Sequence, residues 1–238
     1  MVIRSEMWGL RFAGLMLSVS FCFSAAYAET ESSKARGGKL YDKWYAVTGA
    51  KAPESTHPLY PADGKYAAEP KSNWRCKECH GWDYRGADGA YKSGKHATGI
   101  KGINGYADRD PAEIVNVLKA SEHAYADKLS DADFQDLANF VSAGQVNMDS
   151  FIDRATKKPI NGDSEKGAAY YNTMCAQCHG EDGRKPKGMK PFAKQMGNPW
   201  EVMHKILNGQ PDAEMPALRA LDRQVVVDIM SHLTTLPE

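Results

Sequence analysis

Two short runs with one pattern, Cys76-Lys77-Glu78-Cys79-His80 and Cys175-Ala176-Gln177-Cys178-His179, constrain this chain more than any other feature. On a helical turn, residues at i, i+3 and i+4 share one face, so two thiols and an imidazole project together. Cys-x-x-Cys-His reads as an attachment site for c-type haem, in which the thiols meet the vinyl groups and the imidazole ligates the iron. Two runs imply two covalently bound haems. A zinc site would want a further pair of Cys or His at ligand spacing, and a redox dithiol would want a βαβ setting. Neither context accompanies these runs.

The surroundings of the second run resemble the class I c-type cytochrome family. The resemblance rests on Gly167-Ala168-Ala169-Tyr170-Tyr171 before the run, on His179-Gly180-Glu181-Asp182-Gly183 at its end, and on the stretch from Asn208-Gly209-Gln210 to Glu214-Met215-Pro216 downstream. It implies an all-α fold, a small helical domain wrapped around each haem, with His on one side of the iron and usually Met on the other. In the second half those ligands are His179 and Met215. Met189, Met196 and Met203 are competing thioethers, but a Met in a helix or loop is more often packing material. His204, inside a helix, suits a surface or packing role better than ligation.

Superimposing the two motifs shows an internal repeat. Asp110-Pro111-Ala112 through Leu118 corresponds to Asn198-Pro199-Trp200 through Ile206, each a helix with Pro in its first turn and Asp or Asn as cap. Closing helices follow at Ser130 to Ala143 and Asp222 to Leu233, with apolar residues on one face. N-terminal partner helices run from about Gly38 to Val47 and from Ser164 to Thr173. The expected organisation is a leader over 1–28, a first cytochrome domain over 29–147 and a second over 148–238. The first half departs from the pattern in two long polar stretches, Gly49 to Asn73 and Trp82 to Gly105, read as ordered loops.

The first half also lacks a Met between its motif and its closing helix. His123 stands there instead, six residues before Leu129-Ser130, as Met215 stands six before Leu221-Asp222. The repeat thus points to a first haem ligated by His80 and His123. His96, His57, Met148 and an open site are the alternatives. Tyr125 and Lys128 are placed to tune His123.

Residues 1–28 read as a secretory signal: Arg4 and Arg11, an apolar run from Phe12 to Phe23, and Ala26-Tyr27-Ala28 as a small-x-small cleavage site. The run is shorter than the ~20 residues that span a bilayer. No membrane span is therefore expected in the mature chain, and the expected location is the periplasm. Cleavage removes Cys22, and the four remaining cysteines are those of the two motifs, which leaves none for a disulfide or a thiolate ligand. The 30 basic and 30 acidic residues balance, which argues against a nucleic-acid partner. Locally, Arg184, Lys185, Lys187, Lys190 and Lys194 form a basic stretch suited either to steering an acidic redox partner or to plain solvation.

A Met ligand raises the reduction potential relative to two histidines, so the two haems should differ. The expected function is single-electron transfer between a donor and an acceptor protein, from the bis-His haem to the His/Met haem. The duplication resembles dihaem cytochromes of the c4 type, with His123 replacing one axial Met. No catalytic residue is expected. The alternatives are a haem enzyme acting on a small oxidant or a sulfur or nitrogen species through an exchangeable ligand on the first haem, and a redox subunit of a larger complex.

Overall fold

The computed structural model describes residues 13–238, with side chains from Thr30 onward. The first twelve residues of the expected leader, and the side chains of the rest of it, lie outside the described part. Among the described residues the chain is helical and has no strand, in keeping with an all-α class; only two isolated bridges occur, Gly86 with Lys101 and Ile152 with Pro159. No helix among them is long and apolar enough to cross a membrane.

Helix α1 runs from Ala13 to Thr48, longer than the expected span, with one backbone break at Lys43. Two short turns follow, α2 (Pro70–Asn73) and α3 (Cys76–His80), and then α4 (Pro111–Lys119) and α5 (Asp131–Asn139). The second half has the same long helix, motif turn and two later helices, but its extra single turn follows the motif: α6 (Ser164–Met174), α7 (Ala176–His179), the single turn α8 (Phe192–Gln195), α9 (Pro199–Asn208) and α10 (Arg223–Leu233). Helix starts follow local chemistry. Asp110 accepts from the Ala112 amide with Pro111 next to it, and Ser130 and Asp133 form a reciprocal capping box. Asp163 and Asp222 cap α6 and α10. The expected Asn cap of α9 is not used: the Asn198 side chain donates to Glu201 instead, and Pro199 alone presets the first turn. At its end α5 widens into a π turn over Phe140–Gly144.

In each half the first helix crosses the last at a glycine. A Cβ on Gly37 would lie 2.1 Å from the Asp136 carbonyl oxygen of α5, and one on Gly167 would lie 1.9 Å from the Asp228 carbonyl oxygen of α10. Tyr41 follows Gly37 by four residues and Tyr171 follows Gly167 by four, so the repeat extends to the contact itself. Arg36 pairs with Asp136 at 2.7 Å and with Asp133 at 2.5 Å, which fixes the first crossing electrostatically.

The halves meet along the other side of α1. Gly38 faces α9, where a Cβ would lie 2.3 Å from the Asn208 side chain. His204, fully buried, donates from Nε2 to the Gly38 carbonyl at 3.0 Å, and its Nδ1 accepts from the Tyr84 hydroxyl at 2.8 Å. A carbonyl can only accept, so these bonds assign the tautomer. Its role is packing, as its place in a helix suggested. Buried Asp42 accepts from Lys205 of α9 at 2.9 Å and from Arg75. Burial alone would raise the Asp42 carboxyl, but the two cations prevail and hold it down at about 2.

Gly167→Ala and Gly37→Ala should each cost about 1–3 kcal/mol through overpacking, read as lowered melting temperatures. The Asp42 carboxyl is held below its ordinary 3.8, so its contribution is complete above that value and is lost as pH falls towards 2. We expect Asp42→Asn to lose about 2 kcal/mol at neutral pH, with the gap to wild type closing between pH 4 and 2 in denaturant titrations.

Candidate haem sites

Helix α3 is one turn long, entered through extended Arg75 and ended by Gly81 at φ 79°. Cys76, Cys79 and His80 open onto a cleft that holds about 1070 Å³ of atom-free space, its mouth included, and His123 lines the same cleft. The His80 and His123 rings are 6.4 Å apart between centroids and inclined by only 16°. An imidazole–metal bond of about 2.0–2.1 Å on each side, with about 1.1 Å from nitrogen to ring centre, puts two rings about 6.3 Å apart across one metal. The observed centroid separation is close to that distance.

The electrostatics agree with ligation. His80 Nδ1 meets the Lys101 carbonyl at 2.6 Å, so it carries the proton and leaves Nε2 as a lone pair. Burial pushes His80 down to about 4 and lowers His123, so both rings are neutral at physiological pH. The thiols go the other way: burial raises Cys76 to about 11 and Cys79 to about 12. A redox dithiol needs a lowered thiol pKa, so that reading finds no support. Among the described residues no group of three His, Cys, Asp or Glu side chains is arranged to hold a bare metal ion, which leaves zinc without a ligand set.

The alternative ligands are otherwise engaged. His57 accepts from the Leu59 amide at 3.2 Å and donates from Nε2 to the His123 carbonyl at 3.0 Å, with its ring edge-on to Trp74 at 4.4 Å. It buttresses the turn that carries His123, a role the sequence reading did not foresee. In that turn Ala124 adopts φ 57°, a left-handed conformation that disfavours Ala and marks a position held by its surroundings. His96 stacks on Tyr91 at 5.1 Å and points Nδ1 at Glu78, 3.4 Å away, outside the cleft. Met148 is buried in the core and does not line the cleft. Tyr125 donates to the Trp74 carbonyl at 2.7 Å, and the Lys128 ammonium lies 5.0 Å from the centre of the Trp74 ring. Both long loops serve the site. Lys101 and Ile103 border the cleft from one, and the other supplies His57.

The second motif is built the same way. Gly81 and Gly180 share their backbone geometry, φ 79°, ψ 157° and φ 78°, ψ 156°. Tyr41 and Tyr171 each donate to the carbonyl of that glycine at 2.6 Å, locking the N-terminal helix to the turn after the histidine. The His80 and His179 carbonyls accept from Gly86 and Lys185, at 2.8 and 2.9 Å. His179 lies against Phe192 at 4.9 Å, and its Nδ1 is buried without a partner. Met215, half-buried on the loop between α9 and α10, packs on the core that also receives Cys175 and Phe192. Met203 and Met230 are core residues with no exposure. The two motifs differ in cover: Lys77, Glu78 and Cys79 are buried, whereas Gln177 and Cys178 are exposed.

Residues 162–233, spanning α6 to α10, match the family model described as cytochrome C oxidase, cbb3-type, subunit III. The match supports a c-type cytochrome domain over those residues. Such a domain implies covalently bound haem and a general role in electron transfer. The N-terminal half lies outside the matched segment. No curated protein and no solved structure matches the chain significantly.

Removing the Tyr41 hydroxyl leaves the Gly81 carbonyl without its buried partner. Tyr41→Phe should therefore cost about 1–3 kcal/mol, and Tyr171→Phe somewhat less because its surroundings are more open, measured by chemical denaturation of the holoprotein.

Proposed function

We propose that this chain is a periplasmic dihaem cytochrome c that passes single electrons between protein partners, from a His80/His123 haem to a His179/Met215 haem. The observation that carries the reading is the pair of near-parallel imidazoles 6.4 Å apart in the cleft that Cys76 and Cys79 line. The cytochrome match over the second half and the repeated backbone geometry of the two motifs support a haem on each. When bound, the haem supplies an iron that takes and gives one electron. The chain's own part is to hold neutral imidazoles in place, keep apolar walls around them and set the ligand on each far side. Two imidazoles on the first site and a thioether on the second favour flow from first to second.

Export is compatible with these contacts: among the described residues Ser33 and Arg36 bond Asp136 of α5, and both lie after Ala28, so cleavage there keeps these bonds. Arg184, Lys185, Lys187, Lys190 and Lys194 are all exposed, and Lys185 donates to the Gln177 carbonyl next to exposed Cys178, which suits this stretch to an acidic acceptor.

A second reading is a redox subunit of a larger complex, favoured by the oxidase-subunit description of the matched family. The loop over 49–73 does not add to it, since Tyr60 is buried and Tyr66 half-buried against their own half. Size-exclusion chromatography of the native protein from mildly solubilised cells separates the two readings.

The first test is haem content and potentiometry of the purified holoprotein. We expect two haems per chain, two separated reduction waves with the lower one bis-His in spectrum, and no carbon monoxide binding by the reduced form. His123→Ala should open the low-potential haem to carbon monoxide, and Met215→Ala the high-potential one. An unchanged spectrum in His123→Ala rules out the first assignment, and rapid carbon monoxide binding by wild type would turn the reading towards a haem enzyme.

A further inference from the structure

A cleft with about 1210 Å³ of atom-free space, its mouth included, opens where the start of described α1 side chains meets the segment between α9 and α10, with Arg36 and Lys39 on one wall and Asn208, Pro211 and Arg219 on the other. Arg219 is only 4% exposed. Its Nε and Nη2 both donate to Asn208 Oδ1, at 3.1 and 2.7 Å, and the Phe140 ring lies 5.8 Å from the guanidinium carbon. Asn208 is itself fixed, donating from Nδ2 to the His204 carbonyl at 2.8 Å, so its oxygen faces the arginine.

Charges around the cleft do not balance. Arg36 is matched by Asp133 and Asp136, and Glu31 is taken by Lys34 at 2.8 Å. Among the described residues neither Arg219 nor Lys39 pairs with a carboxylate. The desolvated guanidinium touches an amide oxygen and an aromatic ring but no carboxylate; Glu31 on the cleft wall acts on it only from a distance and is itself bonded to Lys34, whereas buried charges are ordinarily paired directly. The amide oxygen holds two nitrogens of the planar fork, Nε and Nη2.

We propose that Arg219 and Lys39 form a binding site for a carboxylate or comparable oxyanion at the junction of the two halves. Two sources share that chemistry: a propionate of a haem carried by this chain, and a free inorganic oxyanion. The site adjoins the loop that carries Met215, since Pro211, Ala217 and Ala220 line the cleft on either side of it in sequence. An anion there ties that loop to α1. The proposal deepens the electron-transfer reading and takes one of its readouts from it.

The test uses the holoprotein, Arg219→Gln and Lys39→Gln, titrated potentiometrically at constant ionic strength in chloride and in inorganic phosphate, with melting temperature and haem content measured for each. If the anion is a propionate, both substitutions lower the midpoint of one haem, because a carboxylate that has lost its cation favours ferric iron, and phosphate changes nothing. If it is a free oxyanion, phosphate raises the wild-type melting temperature, and the response is lost in Arg219→Gln and weakened in Lys39→Gln. Midpoints indifferent to both substitutions, together with wild-type melting temperatures indifferent to phosphate, overturn the proposal. Should Arg219→Gln fail to fold, Lys39→Gln at the cleft wall carries the same readouts. A chain without haem would sink the cytochrome reading, while the phosphate dependence of melting would still decide the oxyanion site.

Discussion

Close backbone approach at Gly37 and Gly38 is the constraint on which the rest of the structure depends. One glycine faces the Asp136 carbonyl of α5 and the next faces Asn208 of α9, so α1 is pinched between its own half and the other. Neither side has room for a Cβ. Once α1 is seated there, the following turn inherits its direction: Tyr41 reaches the Gly81 carbonyl, Asp42 reaches Arg75 just before Cys76, and Trp44 donates to the Trp74 carbonyl at 3.1 Å. The first motif is thus hung from α1 by three buried bonds to the segment from Trp74 to Gly81. A helix placed by sterics positions the chemistry through hydrogen bonds.

The same device in the second half gives a different result because the cover differs. Gly167 and Tyr171 reproduce Gly37 and Tyr41, and the glycines after each histidine share one conformation. Yet Trp82, Asp83 and Tyr84, directly after the first motif, are buried, with Trp82 and Tyr84 against His204 of the second half, whereas Glu181, Asp182 and Arg184 remain at the surface. Equivalent segments therefore divide the work. One is spent on joining the halves, and the other stays free for solvent and partners. Tyr84 is held in a left-handed conformation, φ 65°, by two amides, Ile103 and Asn104, that donate to its carbonyl. Strain of that kind persists where the surroundings over-determine a residue.

Much of this was legible in the sequence, and the reasons are physical. The motifs, the helices after Asp110, Ser130 and Asp222 and the one starting at Ser164, and the choice of His123 as a residue sharing a cleft with His80 follow from short-range spacing and from a repeat that aligns without gaps around its closing helices. The boundaries of α1 were not legible, because nothing in its composition stops the helix before Gly38. Asn198 was expected to cap and instead bonds Glu201, since a side-chain amide chooses among partners that only the folded chain brings near. His57 was weighed only as a ligand; its bond to the His123 carbonyl spans 66 positions and has no local signal. Buried Lys77 and Glu78 inside the first motif were equally hidden, because their cover comes from Trp82, Tyr91 and His96 on a loop with no periodicity.

Charge states at the junction bear on how the halves would communicate. Burial keeps His204 neutral down to about 3, with both ring nitrogens in hydrogen bonds, and two cations hold Asp42 ionised down to about 2. Neither group changes protonation anywhere near neutral pH. On the electron-transfer reading, an electron arriving on one side of such a junction alters the field there, but neither His204 nor Asp42 takes up or releases a proton in response. Movement between the halves is then uncoupled from proton movement at these two residues. Any pH dependence of the two potentials around neutrality has to arise elsewhere, at groups exposed enough to titrate in that range, and variants at Asp42 or His204 should leave it in place while shifting stability.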